Sequence, residues 1–135
     1  MGFGDDIQSL SMTISVLLAD DSEIIRKAIT KLFKADPEFR VVGEAVSFNQ
    51  TLHLTSALHP QVVVMDLYMK DDKGVEPSEV KSCLVGSQML AISLRKDAPA
   101  RTLAESYGAV RLLDRMYLST ELIPAIKQIV QAPIR

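Results

Sequence analysis

Short apolar runs alternate along this chain with stretches whose apolar residues recur at every third or fourth position. Residues 14–19, Ile-Ser-Val-Leu-Leu-Ala, predict a strand, and Asp20-Asp21-Ser22 reads as a loop and helix cap. Beyond it Ile24, Ile25, Ala28, Ile29, Leu32 and Phe33 keep the spacing of an amphipathic helix, with Arg26, Lys27 and Lys31 on its wet face. Asp36-Pro37 ends that helix. A strand over 40–45 and a helix over 48–58 follow. Pro60 opens the segment 61–66, where Val62, Val63, Val64 and Met65 are consecutive. A run so rich in β-branched residues predicts a strand buried on both faces, as in parallel sheets. A polar loop over 70–74 leads to a helix opened by Pro77, with Val80, Leu84 and Val85 as its apolar face. The remaining pattern predicts a strand over 89–93, a helix over 98–107 capped by Asp97 and ended by Gly108, and a strand over 109–113. A last helix follows, capped by Ser119, bent at Pro124 and buried along Leu122, Ile123, Ile126, Ile129 and Val130.

Five strands alternating with five helices point to an α/β domain with a parallel sheet covered on both faces. Right-handed crossovers leave few topologies, and the three-layer flavodoxin-like order 2-1-3-4-5 is the common one at this size. Residues 14–131 are read as this domain. Residues 1–13, with Gly2, Gly4, Asp5 and Asp6 and no periodicity, are read as an N-terminal extension: a disordered lead-in, an expression remnant or a short extra helix, with Met12 an alternative natural start.

Composition narrows the function. At 135 residues and 47% hydrophobic content the chain can build one core. Fifteen basic against seventeen acidic residues give a net charge of −2, without the basic excess of a dedicated nucleic-acid binder. The single cysteine, Cys83, excludes an internal disulfide and suits a reducing cytoplasm; on its helix it reads as a small packing residue. No apolar run approaches the roughly 20 residues of a membrane span, and the first residues lack the features of a signal peptide. The expectation is a cytoplasmic domain that binds neither membrane nor nucleic acid directly.

In sheets of this kind ligands sit beyond the carboxyl ends of the strands. Here those ends carry Asp20 and Asp21, then Asp66, then Ser93, then Asp114 and Arg115. Any one of these acids alone reads as a polar loop residue or a cap. That reading leaves unexplained why Asp66 ends the most hydrophobic strand, and why a hydroxyl and a cation follow at matching depth. If the first and third strands are neighbours, three carboxylates converge and repel. A hard divalent cation with oxygen ligands, such as Mg²⁺, relieves this.

These residues carry a resemblance. Leu17-Leu18-Ala19-Asp20-Asp21-Ser22, Val62-Val63-Val64-Met65-Asp66-Leu67-Tyr68-Met69, Leu90-Ala91-Ile92-Ser93, and Gly108-Ala109 leading to Leu113 and Arg115 are similar to the motifs of the response-regulator receiver domain of two-component signalling. The likeness spans residues 14–130. Val41-Val42-Gly43-Glu44-Ala45 also resembles the second strand of receivers that precede LuxR-type DNA-binding domains. The resemblance implies that Asp66 is the phosphoacceptor, supplied by a sensor histidine kinase or a phosphotransfer protein. It implies that Asp20, Asp21, Asp66 and the Tyr68 backbone carbonyl hold Mg²⁺, and that the Ser93 hydroxyl bonds a phosphoryl oxygen. Such a domain is not an enzyme beyond its own phosphorylation and dephosphorylation. The face of the fourth helix, fifth strand and fifth helix, here Arg101, Glu105, Tyr107, Arg111 and Lys127, is where such domains form homodimers or signal output.

The sequence departs from the family pattern at four positions. Arg115 stands where a lysine is usual, and its planar fork differs from a compact ammonium. Leu112 stands at the aromatic switch position, Lys70 where proline commonly follows Met69, and Leu94 where a small residue is usual beside Ser93. Two alternatives stay open: a degenerate receiver acting as a phosphorylation-independent interaction module, and the receiver fragment of a LuxR-type transcription regulator, with Ala132-Pro133 opening the linker. A haloacid-dehalogenase-like phosphohydrolase is disfavoured because adjacent Asp20-Asp21 is not Asp-x-Asp. A flavodoxin is disfavoured because no Ser/Thr/Gly-rich loop follows the first strand. His53 and His59 have no second ligand type near them in sequence.

Overall fold

A computed structural model describes residues 13–131. The expectations for residues 1–12 and for the Ala132-Pro133 linker lie outside the described residues. Among the described residues five parallel strands are ordered β2-β1-β3-β4-β5, the arrangement expected from the sequence. They are β1 (Ile14–Ala19), β2 (Phe39–Ala45), β3 (Val62–Asp66), β4 (Gln88–Ser93) and β5 (Arg111–Asp114). The helices are α1 (Glu23–Lys34), α2 (Phe48–Leu58), α3 (Pro77–Cys83), α4 (Ala98–Ser106) and α5 (Leu118–Gln131).

Every residue of β3 is buried, because successive strand side chains point to opposite faces and both faces are covered. Leu17, Val63 and Met65 pack with Phe48, Leu52, Val80 and Tyr107 on the side of α2, α3 and α4. Leu18, Val64 and Ile92 pack with Ile29, Phe33, Leu122 and Ile126 on the side of α1 and α5. Lys127 joins the two outer ends of that second layer, bridging Asp36 at 2.9 Å and Glu38 at 3.5 Å.

Several boundaries differ from the sequence reading, each for a local reason. β5 begins at Arg111, because the Ala109 amide is still held by the Ala104 carbonyl and Gly108 takes a positive φ of 86° to leave the helix. The last helix is not capped by Ser119, which lies within its first turn. Asp114 instead accepts from the Met116 amide at 2.8 Å and starts a 3₁₀ turn, Arg115–Tyr117, that runs directly into α5. α3 stops at Cys83, so Val85 falls outside the helical period and is 88% exposed rather than part of an apolar face. Cys83 is exposed rather than packed, since Val80 and Leu84 take the inward positions.

One strand irregularity shapes β2. Val16 pairs with Val41 but Leu17 pairs with Gly43, so one extra residue is accommodated there as a bulge. A Cβ on Gly43 would lie 2.9 Å from Leu58 Cδ1 and 3.3 Å from Leu17 Cδ1, both flexible side-chain ends. Gly43→Ala is therefore expected to cost about 1–2 kcal/mol through overpacking, read as a lower urea midpoint with an unchanged denaturant slope.

Candidate functional site

The parallel order sets the ends of β1 and β3 side by side, with Ala19 paired to Met65, so the residues that follow converge at one edge of the sheet. Asp20, Asp21 and Asp66 can each offer a carboxylate oxygen within 4.8 Å of the others. Asp20 is fully buried and Asp66 is 5% exposed. Both use the same local device. Asp20 Oδ1 accepts from the Ser22 amide at 2.8 Å, and Asp66 Oδ1 accepts from the Tyr68 amide at 3.2 Å, each two residues ahead. Arg115 closes the cluster from the far side of the sheet edge. Its Nη2 donates to Asp20 Oδ2 at 3.1 Å and to Asp66 Oδ2 at 3.3 Å. Its Nε is buried without a hydrogen-bond acceptor among the described residues.

Burial dominates the electrostatics. Desolvation raises the Asp66 carboxyl from 3.8 to about 6, the Tyr68 amide and Arg115 opposing it and the Asp20 charge adding to it. Asp20 is raised as well, chiefly by burial, against the Ser22 hydrogen bond and the Arg115 charge. Three carboxylates that repel one another, two buried and one half-buried, fit a small, hard divalent cation better than any softer metal.

Two supports escaped the sequence reading. Arg26 is not on the wet face of α1: its Nη1 donates to the Asp20 carbonyl at 2.7 Å and its Nε to Glu44 Oε1 at 3.0 Å, which ties the β1 loop to β2. The signal available was Glu44 beside it on β2, but only the fold brings the two together. Asp71 belongs to the loop after β3, yet its carboxylate accepts from the Phe48 and Asn49 amides at 2.8 and 3.1 Å and so caps α2 from a distance.

Ser93 stands one residue beyond Ile92, the partner of Asp66 across β3 and β4. It is buried, accepts from the Arg95 amide at 3.2 Å, and opens on a cleft shared with Tyr68, Leu94 and Asp97. In the segments that follow the site's strand ends, the large apolar residues Ile24, Tyr68, Leu94 and Met116 are exposed. Ile24 thus faces outward rather than into the core. His53 and His59 are exposed on α2 and at its end, and neither belongs to the acidic cluster.

The sequence model of the response regulator receiver domain matches residues 16–127. The chain belongs to this family. Receivers typically bind Mg²⁺, and in this chain Asp20, Asp21 and Asp66 form an acidic cluster. Among curated relatives, a protein-glutamate methylesterase/protein-glutamine glutaminase of Photobacterium profundum is 31% identical over 78% of this chain and 27% of its own length. The DNA-binding transcriptional activator DevR/DosR of Mycobacterium tuberculosis is 40% identical over 47% of this chain and 29% of its own length. The matched segments thus span little more than a quarter of each relative, and the activities named belong to longer proteins. Among solved structures, the response regulator domain of Thermotoga maritima CheB superposes with a TM-score of 0.77 at 23% identity, covering 90% of this chain and 99% of that one. The receiver of the putative regulator NarL from Mycobacterium tuberculosis gives 0.78 at 22%, covering 90% and 98%. These likenesses establish the fold.

One face of this receiver differs from the sequence reading. Tyr107 is 2% exposed, its ring tilted at 50° to that of Phe48 with centroids 5.4 Å apart, because it packs into the core cluster on that side of the sheet. Lys127 is engaged with Asp36 and Glu38, toward α1. The surface of α4 and β5 therefore presents Arg101, Glu105 and Arg111, with Leu112 half-buried behind them. Among the described residues no helix is long and apolar enough to cross a membrane.

Proposed function

We propose that this receiver accepts a phosphoryl group on Asp66 in a Mg²⁺-dependent reaction and passes the change to a protein partner or an output domain. The observation that carries the reading is the placement of Asp66: a buried carboxylate ending the central strand, within 4.8 Å of two further carboxylates and salt-bridged to Arg115. Asp20, Asp21, Asp66 and the Tyr68 carbonyl would hold the cation. Bound there, it would offset the repulsion between the acids and an anionic donor and stabilise charge on the transferring group. An oxygen of Asp66 forms the new bond to phosphorus while the bond to the donor breaks, the electron pair leaving with the donor group. The Ser93 hydroxyl, whose oxygen accepts from the Arg95 amide, would donate its own proton to a phosphoryl oxygen, and the Arg115 guanidinium would supply positive charge at the site. The exposed apolar residues that follow the strand ends, Ile24, Tyr68, Leu94 and Met116, suit a protein donor, a histidine kinase or phosphotransfer protein, in the cytoplasm. The α4–β5–α5 face is the proposed surface for self-association.

Incubation with acetyl phosphate tests this. Intact mass is expected to rise by one phosphoryl group with Mg²⁺ present and to stay unchanged in excess chelator. Protein that takes up neither phosphoryl group nor a beryllofluoride mimic would instead be a phosphorylation-independent interaction module.

A further inference from the structure

The two buried carboxylates of the cluster have already divided their oxygens. Each Oδ1 is held by a backbone amide, Ser22 for Asp20 and Tyr68 for Asp66. Each Oδ2 is held by one and the same nitrogen, Arg115 Nη2. That nitrogen stands between the two acids on a side chain only 21% exposed, where charge interactions are screened far less than at the surface. An oxygen that coordinates a doubly charged ion cannot keep the same close contact with a guanidinium without setting two positive charges against each other in a poorly solvated site. Guanidinium suits a lasting hold on such acids: it stays charged at any relevant pH, and it is more weakly hydrated than an ammonium, so release to water gains it less.

We propose that Arg115 is a built-in competitor for the divalent cation: it neutralises Asp20 and Asp66 in the cation-free protein, and the ion enters by displacing it from the two Oδ2 atoms. This rests on the reading that the cluster holds such an ion. The apparent affinity for the cation is then reduced by whatever the arginine contributes to the closed arrangement. The displacement also has a mechanical outlet. Arg115 opens the 3₁₀ turn Arg115–Tyr117, and it lines a groove between α1 and α5 together with Ile25, Ile29 and Leu118. Loading the site therefore moves the residue that begins α5's lead-in, next to exposed Met116 and Tyr117.

The test is calorimetric titration of the full chain with MgCl₂, and separately MnCl₂, at fixed ionic strength, for wild type, Arg115→Lys and Arg115→Gln. Arg115→Gln is expected to bind Mg²⁺ about tenfold more tightly, about 1.4 kcal/mol, with Arg115→Lys between it and wild type. In the absence of divalent ions Arg115→Gln should unfold at a lower temperature than wild type, the gap closing at saturating Mg²⁺. In ¹⁵N-labelled wild type the sheltered Arg115 Nε–H signal should shift and exchange faster with solvent as Mg²⁺ is added. A merely structural arginine would lower the unfolding temperature without tightening binding. Equal or weaker cation binding in both variants overturns the competition, and Arg115→Lys alone decides it if Arg115→Gln does not fold. Absence of binding in all three proteins overturns the cation site itself, a result distinct from loss of the competition.

Discussion

Asparagine in place of Asp66 is expected to abolish phosphoryl uptake from acetyl phosphate and, in the same protein, to raise the unfolding temperature measured without divalent ions. The first effect follows from the chemistry: an amide oxygen is a poor nucleophile and forms no stable acyl phosphate, so the mass increase expected of wild type should not occur. The second follows from burial. A carboxyl whose ordinary value is 3.8 and which sits at about 6 in the folded protein binds its proton more tightly folded than unfolded. The folded state is then favoured below about pH 4, and that advantage is lost as pH rises through about 6. By pH 7 the cost of keeping Asp66 ionised in its buried place is up to about 3 kcal/mol. Asp20, raised in the same direction, contributes a slope of the same sign. Asp66→Asn should therefore flatten, without erasing, the fall in stability between pH 4 and pH 7, and at pH 7 it should add several degrees to the thermal midpoint. Saturating Mg²⁺ should remove that advantage, because the ion stabilises wild type and has lost a ligand in the variant. A variant no more stable than wild type in chelator would show that Arg115 already compensates Asp66 in full.

Phe48→Ala should be the most damaging single truncation in the layer that carries α2, α3 and α4. The ring is wholly buried at the first residue of α2, 5.4 Å from the Tyr107 ring, and it packs into the same cluster as Leu17 and Met65. Removing it leaves a cavity among side chains fixed by the sheet on one side and by α4 on the other, so the site cannot collapse readily. A loss of about 3–5 kcal/mol is expected, a large share of the 5–15 kcal/mol typical of a whole domain. Urea denaturation checks it, with Phe48→Leu as the comparison that keeps most of the volume and should cost about 1.5 kcal/mol or less. If both substitutions cost the same, cavity formation is not the cause and the Phe48–Tyr107 ring contact would carry the effect instead.

Most of the architecture was legible because each strand announces itself by a run of apolar residues too short for a helix, and each helix by its period. The strand-end positions singled out in the sequence, Asp20, Asp21, Asp66 and Arg115, are the ones the fold gathers. What escaped depended on partners distant in the chain. Arg26 has the helical phase of a solvent-facing residue, and only Glu44 on β2 and the Asp20 carbonyl turn it inward. Tyr107 carries a polar tip that suggests a surface position, yet its ring is worth more against Phe48 than in water. Ser119 and Asp114 are both acceptable cap residues; the tertiary position of Arg115 beside the acids favours the turn that Asp114 starts. Asp71 in a polar loop gives no local sign that it caps a helix twenty-odd residues earlier in the chain.

That remote cap ties two segments into one cooperative unit. The first turn of α2 would ordinarily fray by itself, its free amides served by its own Ser47. Here two of those amides belong to Asp71, so opening the loop that follows β3 unlatches the helix start as well, and the reverse. A disturbance at Asp66 thus has a route, through its own loop, to a helix on the flank of the molecule, independent of the path that runs through Arg115 to α5.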